Sequence, residues 1–424
     1  MTNSAQHKNA APGTPDPSFH DDGVLEMPDL FDKATYGKFQ LIKGVQSSAE
    51  GKAIFSAQFL MNDQFVYALG RLNKNGTLDP TFANHGVRFG SFIENTHCAG
   101  GKLAVQSGTG LIFMLAWSGN LWADLVLACF DDNGAPVENF GQNGHIIFET
   151  PSDRELRVDS SSIHTCNDGS LIISTTYAER NNPSHTTGVI FSLLPNGTPN
   201  RQFNGNGRWE FKLSEPNSST GISACISQKE HIVFAGHAQH DSSNKLAIFG
   251  RLDKFARLDP EFGDPKTPGL HYVRVAQDSS QFDALTERPD GSLVAAGSIK
   301  SADEQHSAGV IVVTTPNGTP HQLFNNGKPL KTPIRPPFNN IWSTVLVQSD
   351  NKIVVASRFW HYIMRFTRTG SVDLDFNKTG YIERGFDIVD PPVLLSSTNG
   401  RILCTANLRG INPEGIGVFN RYFI

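Results

Sequence analysis

Two carboxylates, Asp159 and Asp283, occupy corresponding places in a repeated sequence unit, where such a pair could act as general acid and base. They belong to a set of six polar residues, each at the start of a strand that should line a central channel. The set comprises Lys43, Lys102, Asp159, Asp283, Asn340 and Asp390. Because nothing in the sequence fixes the separation of the two carboxylates, we interpret the set as charges lining a solvated channel and predict no catalytic residue.

A second set of candidate residues ends seven aligned apolar runs. The last residues of these runs are Gln58, Trp117, Tyr177, His237, Ser298, Arg358 and Asn407. Each follows a small residue, which would open space beside a ring of polar and aromatic groups, and further aromatic residues lie nearby. Such groups suit sugar stacking, anion recognition or a protein interface. The alternative is that strand ends are polar simply because they meet solvent.

From this ring and its neighbouring aromatic residues we predict a binding site on one face of the protein. The predicted binding residues are Gln58, Trp117, Trp122, Tyr177, His237, Arg358, Trp360 and Asn407. The opposite face should carry the repeated Asp-Gly and Asn-Gly turns, which we interpret as structural.

Motifs of nucleotide, metal and hydrolase chemistry do not occur. The segment 44–52 has the wrong spacing for a phosphate-binding loop, and neither G-x-S-x-G nor H-E-x-x-H is found. His237 and His240 could offer two nitrogens to a metal, but no further ligand is evident. The five cysteines are widely spaced and lie mostly in apolar runs, so we interpret them as structural thiols. We therefore expect no metal and no cofactor.

The elements that position these residues come from one sequence motif that occurs seven times. Each copy is a turn followed by Phe and, in most copies, by Gly, and the copies lie 52 to 63 residues apart. Their phenylalanines are Phe19, Phe82, Phe140, Phe203, Phe262, Phe324 and Phe376. Because the Phe recurs in every unit, we predict that it fills the gap between adjacent sheets rather than a ligand site. The motif Asp should cap its own turn.

Each unit between two motifs holds about four short strands, with Asp-Gly or Asn-Gly turns that are typical of hairpins. Four-stranded units of this length without a helical pattern predict an all-β fold, a seven-bladed β-propeller of antiparallel blades. The N-terminal outer strand GVLEM should pair with the C-terminal strand GVFNRYFI and close the ring. We expect residues 1–11 to be a disordered tail and residues 12–424 to form a single domain.

The motif G-x-[LP]-D-x-x-F-[GN]-x-x-G, recurring about every 60 residues from Pro12 onward, resembles the bacterial delta-sixty repeat family of β-propeller proteins. The resemblance implies a fold and no reaction, since the family has no assigned catalytic residues. The motif Asp stands at Asp16, Asp79, Asp259 and Asp373, whereas other copies have Val137, Asn200 and His321. This variation argues against a shared metal or catalytic role for that position.

The function that this sequence favours is a non-catalytic binding or interaction module whose ligand is a carbohydrate, a small molecule or a protein. The alternative is a propeller enzyme, such as a polysaccharide lyase or hydrolase, with its site at the channel mouth. With 36 Lys and Arg against 41 Asp and Glu, the chain lacks the basic excess of a nucleic-acid binder. No signal peptide or membrane-spanning run is evident, so we expect no membrane partner and a cytoplasmic location, with leaderless export left open.

Overall fold

Each repeat folds into antiparallel strands joined by tight turns, as the alternating apolar runs predict. The computed structural model describes residues 10–37, 39–215, 217–241, 243–275, 278–301, 307–332, 341–387, 390–397, 400–409 and 415–424. Of the predicted tail, residues 1–11, the first nine lie outside the described residues. Ala10 and Ala11 are described, and the Thr14 hydroxyl donates to the carbonyl of Ala11 at 2.6 Å. Glycines with positive φ complete the hairpin turns, for example Gly169 at 86° and Gly291 at 83°, each directly after an Asp.

Five sheets are separate blades of the propeller. The first contains Cys98–Val105, Ile112–Ser118, Asp124–Phe130 and His145–Phe148. The second contains Arg154–Leu156, Ser162–Thr165, Leu171–Glu179, Thr186–Leu193 and Arg208–Phe211. The third contains Ser219–Gln228, His231–Gln239, Leu246–Leu252 and Leu270–Val273. The fourth contains Ser279–Glu287, Leu293–Lys300, Ala308–Thr314 and Leu330–Thr332. The fifth contains Trp342–Val347, Ile353–Ser357, Trp360–Phe366 and Tyr381–Asp387.

A sixth, eight-stranded sheet joins the two ends of the chain. Its strands are Val24–Glu26, Phe39–Ser47, Ala53–Met61, Gln64–Leu72, Val87–Gly90, Leu394–Ser397, Arg401–Arg409 and Gly415–Phe423. Short helices His20–Gly23, Met27–Leu30 and Lys33–Tyr36, the 3₁₀ turns Val158–Ser160 and Asn325–Gly327, and a two-stranded ribbon, Gly263–Asp264 with Thr267–Pro268, complete the described elements. None of the described helices is long and apolar enough to span a membrane.

The number of separate blades differs from the predicted seven. The terminal strands do pair as expected, with Val24–Glu26 antiparallel to residues 418–420. This outer strand is only three residues long. It therefore leaves the outer edge of the beginning of Gly415–Phe423 without a partner from the N-terminal strand. Phe39 and Gln40 occupy that edge in a parallel pairing with Gly415 and Ile416, which makes one continuous sheet of the first and last repeats.

The first strands of successive sheets pack against one another in sequence order, and Leu394–Ser397 contacts Phe39–Ser47. Most of these innermost strands are interrupted by a β-bulge. The bulges lie between Ile42 and Gly44, Ala99 and Lys102, Ile222 and Ala224, Phe282 and Ala284, and Trp342 and Thr344. A bulge leaves an extra residue outside the ladder and re-aims its side chain, so Lys43 and Asp283 are released from strand pairing.

The motif phenylalanines form the contact between neighbouring repeats, as predicted. All seven are buried, with 3% or less of each side chain exposed. The ring of one repeat lies against the turn glycine of the next: a Cβ on Gly134 would come within 2.5 Å of Phe82, and one on Gly318 within 2.6 Å of Phe262. Glycine is therefore needed at these turns for close packing as well as for its positive φ.

The motif Asp does cap its own turn, since Asp79 Oδ1 accepts hydrogen bonds from the Thr81 backbone and hydroxyl. Its second oxygen binds basic residues that the sequence analysis did not connect with it. The pairs are Asp79 with Arg71 and Lys52, Asp259 with Arg251 and His231, Asp373 with Arg365 and Lys352, and Asp16 with Arg421 and Arg401. The hydrogen bonds outweigh the effect of burial and hold the pKa of Asp79 well below its usual value.

The repeats without this Asp lack both basic partners as well. Their corresponding residues are Leu111, Cys129 and Val137, then Leu171, Ser192 and Asn200, and then Ser292, Val313 and His321. The three positions thus change together from repeat to repeat. In the charged repeats the Arg guanidinium lies over the motif ring, for example Arg71 at 4.8 Å from the centroid of Phe82. This arrangement makes the motif Asp a structural residue.

Candidate functional site

A cavity of about 350 Å³ opens where the innermost strands of four repeats meet. It lies at one end of the channel, on the face of the protein where the second strand of each repeat connects to the third. Its lining residues include Lys43, Gly100, Gly101, Lys102, Trp117, Ala123, Asp159 and Asp390. The cavity therefore brings together four of the six predicted channel residues. Asn340 lies outside the described residues, and Asp283 lies close enough to Asp159 and Arg358 for their charges to affect its pKa.

The bulge at Gly100 and Gly101 makes room for the cavity. A Cβ on Gly101 would come within 1.7 Å of the Leu115 carbonyl oxygen, and one on Gly100 within 2.8 Å of the Ala57 backbone. The hydroxyl of Ser56 donates a hydrogen bond to the carbonyl of Gly101. The two glycines thus let the backbone of this repeat approach both neighbouring strands, and Lys102 follows them into the cavity.

Of the two lysines that line the cavity, Lys102 is the one whose charge no carboxylate pairs directly. Burial lowers the pKa of its ammonium group, and the charges of Asp159 and Asp390 oppose that effect only in part. Lys43, by contrast, donates to Asp390 Oδ2 at 2.8 Å. Among the described residues, no carboxylate lies within ion-pair distance of the Lys102 ammonium. A negatively charged ligand would supply the missing partner.

Arg358 and Asp159 meet at the mouth of the cavity. Asp159 lies in the 3₁₀ turn that interrupts the innermost strand of its repeat, and this turn carries the carboxylate toward the centre of the ring. Arg358 is the first residue after the strand Ile353–Ser357 of another repeat, and its guanidinium donates to Asp159 Oδ2. The ion pair therefore crosses the channel.

Asp283 provides the clearest candidate for proton transfer. Burial raises its pKa to about 6, although Arg358, Lys245 and a hydrogen bond from Gln281 work in the opposite direction. Gln281 Nε2 donates to Oδ1 at 3.0 Å, whereas Oδ2 is buried without a hydrogen-bond partner among the described residues. Burial also lowers the pKa of Lys245, and the charge of Asp283 partly offsets this. Sequence reasoning missed Lys245, because it lies just before the strand Leu246–Leu252 and outside the aligned runs.

Four of the predicted binding residues lie inside strands and are buried. These are Gln58, Tyr177, His237 and Asn407. Tyr177 is 1% exposed, and burial raises its pKa to about 12. Asn407 bonds with its side chain to both the N–H and the carbonyl of Ile42, so it joins the last repeat to the first. Burial takes the pKa of His237 well below its usual value.

The structure brings two other predicted residues to the cavity mouth. Trp117 lines the cavity, and Arg358 donates a hydrogen bond to the lining residue Asp159. Trp122 lies on the adjoining loop and is 52% exposed. The side chain of Trp360 lies outside the described residues. The binding roles of all eight residues stay predictions.

The histidines considered as a metal pair have separate partners. His237 Nε2 lies 3.4 Å from the Thr186 hydroxyl, and His240 Nδ1 lies 3.2 Å from Glu215 Oε2. In the part of the chain that the structure describes, no group of three or more His, Cys, Asp or Glu residues could hold a metal ion.

Two segments of this chain match one family model. A family model described as a domain of unknown function (DUF5122) beta-propeller matches residues 54–82 and 348–376. Both segments end at a motif residue, Phe82 and Phe376 respectively. No curated protein matches the chain.

Three lyases are among the solved structures that match this chain. The polysaccharide lyase Uly1 has a TM-score of 0.54 at 9% identity, over 90% of this chain and 89% of its own. A streptogramin B lyase has a TM-score of 0.47 at 14% identity, over 94% of this chain and 97% of its own. Virginiamycin B lyase from Staphylococcus aureus has a TM-score of 0.46 at 11% identity, over 94% and 98%. At 9% identity, the likeness to Uly1 concerns the fold alone.

Proposed function

We propose that this protein is a non-catalytic binding module that holds a small organic anion at the mouth of its central channel. The observation that carries the proposal is Lys102, a partly buried lysine that lines a cavity of about 350 Å³ and has no ion-pair partner among the described residues. Burying a charge without a partner is costly, so a ligand carboxylate would gain much of its binding energy there.

The surroundings of Lys102 favour an organic anion over an inorganic one. Trp117 and Ala123 supply apolar surface on one wall, while Lys43 and Arg358 hold further positive charge near the opening. A cleft with apolar walls and a few convergent polar groups is the usual form of a small-molecule site. A ligand with a carboxylate and a carbon skeleton would use both features.

Calorimetry with galacturonate, citrate and neutral galactose would test this proposal. We expect the carboxylates to bind, galactose to bind at least about tenfold more weakly, and Lys102→Met to remove carboxylate binding. Lys328→Met, which changes a lysine on the opposite face, is the matched control and should bind like the wild type. Carboxylate binding that survives Lys102→Met unchanged would refute the proposal, as would the absence of binding by every carboxylate.

Asp283 favours a second candidate function, a propeller enzyme that cleaves a polysaccharide by hydrolysis or elimination. A carboxyl group with a pKa of about 6 and one unpartnered oxygen could give up or accept a proton near neutral pH. Release of reducing ends or of unsaturated sugars from a polysaccharide panel, abolished by Asp283→Asn, would establish this alternative. If no product forms while a carboxylate binds, the binding function stands.

We also propose that the repeats are of the delta-sixty type and that residues 12–424 form one domain. The two matched segments support this, because each spans a second and a third strand and ends at the motif Phe. Limited proteolysis that released a stable fragment from within residues 12–424 would contradict the single domain.

A further inference from the structure

An exposed aromatic residue adjoins the outer end of the cavity. The loop after Ile112–Ser118 presents Leu121 and Trp122, which are 89% and 52% exposed. Ala123, the next residue in the chain, lines the cavity together with Trp117. The surface of Trp122 therefore begins where the cavity ends, and a ligand that filled the cavity would extend toward it.

Trp122 is held in place from one side. The Arg180 guanidinium lies 3.9 Å from the centroid of its ring, and Arg180 Nε donates to the carbonyl of Arg154 at 2.8 Å. Arg154 in turn donates from Nη1 to the hydroxyl of Thr187 at 2.7 Å. The ring is thus tied to two strands of the neighbouring repeat, while half of its surface stays in solvent. A fixed aromatic ring costs little entropy when it binds a ligand.

Two cations flank the surface that runs from the cavity to Trp122. Lys102 lies inside the cavity and Arg180 lies at the rim, and neither forms an ion pair with a described residue. Trp117 lines the same cavity as Lys102, and Trp122 contacts Arg180. A ligand that matches this order needs repeated negative charge and repeated apolar faces.

We propose that the site binds an acidic oligosaccharide, with one uronate residue in the cavity at Lys102 and a following sugar ring stacked on Trp122. This inference rests on the proposed function, because it uses the same cavity. Sugar rings present an apolar C–H face that packs on an indole, and their carboxylates would meet Lys102 and Arg180. The second contact makes the oligomer a better ligand than the single sugar acid.

The test compares galacturonate with its hexamer in calorimetry on the full chain. We expect the hexamer to bind at least about tenfold more tightly than the monomer, which corresponds to about 1.4 kcal/mol. Trp122→Ala should remove that gain and leave monomer binding unchanged, whereas Trp122→Phe should keep part of it. Leu323→Ala is the control, because Leu323 is an exposed apolar residue in a connection between a third and a fourth strand.

The outcomes separate this inference from the function on which it rests. If the monomer binds but the hexamer binds no more tightly, or if Trp122→Ala leaves the hexamer affinity unchanged, the oligosaccharide inference is wrong and the anion site stands. If neither form binds while citrate does, the sugar ligand is excluded but the anion site again stands. Equal binding of a neutral cellulose hexamer would also overturn the inference, since charge would then play no part.

Discussion

Arg358 and Asp159 form an ion pair across the mouth of the channel although 199 residues separate them in the sequence. Each comes from a place where its repeat departs from regular strand structure, one just after a strand and the other in a 3₁₀ turn. The pair therefore joins two repeats that are distant in sequence.

Opposite effects are expected from substituting the two partners. Asp159→Asn removes a carboxylate that competes with the ligand for Arg358 and Lys102, so galacturonate affinity should rise by about threefold to tenfold. Arg358→Met should lower it by a similar factor. Both should change the free energy of unfolding by no more than about 1 kcal/mol, because the pair is partly exposed. Calorimetry and chemical denaturation measure the two quantities.

Arg257→Met is the control for this pair of variants. It breaks another ion pair, with Asp253, which lies in the connection between the third strand Leu246–Leu252 and the fourth strand of its repeat. It should leave galacturonate affinity unchanged. Weaker binding by Asp159→Asn would contradict the competition between the carboxylate and the ligand.

The raised pKa of Asp283 predicts how stability depends on pH. Between its unfolded pKa of 3.8 and its folded pKa of about 6, the folded protein holds a proton that the unfolded chain has lost. Asp283 therefore makes the folded state progressively less stable as pH rises through this window. Asp283→Asn should not lose stability in this way. The difference in unfolding free energy between the variant and the wild type should therefore increase by up to about 3 kcal/mol from about pH 4 to pH 7.

Urea denaturation at several pH values between these limits provides the measurement. Asp350→Asn changes an exposed carboxylate in a turn and serves as the control. A difference between Asp283→Asn and the wild type that stays constant over the whole range would show that Asp283 titrates normally.

The basic residues around the motif Asp predict a non-additive stability effect. Arg71→Cys leaves Asp79 buried with only Lys52 as a charged partner and should cost about 3–5 kcal/mol of unfolding free energy. Replacing all three residues by those of the next repeat, as Lys52→Leu, Arg71→Cys and Asp79→Val, should cost less. The reason is that no unpaired charge is then left in the interior.

Chemical denaturation of the single and triple variants tests this ranking. Asp63→Asn, at an exposed turn position with φ of 61°, should be neutral. A triple variant less stable than Arg71→Cys would mean that the charges stabilise the repeat by themselves rather than as a matched set.

The N-terminal segment should be required for the folded ring. Deleting residues 1–27 removes Phe19, the strand Val24–Glu26 and Asp16, which pairs with Arg401 and Arg421. The freed edge of Gly415–Phe423 should then cause aggregation or loss of cooperative unfolding. Deleting residues 1–9 should leave the thermal transition unchanged. A cooperatively melting monomer without residues 1–27 would contradict the role of this segment.

The repeated blades could be predicted from the sequence because their signals are local. A Phe, a turn glycine and an Asp-Gly hairpin each lie within a few residues of one another, and the same contacts recur in each repeat. The joining of the first and last repeats into one sheet could not be foreseen in this way. It depends on how far Val24–Glu26 extends along residues 415–423, which no local pattern specifies.

The sequence did not show which residues of the predicted ring are buried, because strand ends are hard to locate. The strands of Tyr177 and Asn407 continue two residues further, to Glu179 and Arg409, so both side chains lie in the interior. Arg358 does follow the end of its strand, and it reaches the channel. The joint change of Arg, Asp and the second basic residue is present in the sequence, and comparing Arg71 and Asp79 across the repeats would have revealed it.

The pairing of Val24–Glu26 with residues 418–420 has a consequence for synthesis on the ribosome. The partner of this early strand is made only after almost all the chain has been translated, on the order of tens of seconds later at about 5–20 residues per second. Until then Leu25, which is fully buried in the folded protein, lacks its contacts with the C-terminal strand. The nascent chain therefore exposes the apolar side of this segment for most of its translation.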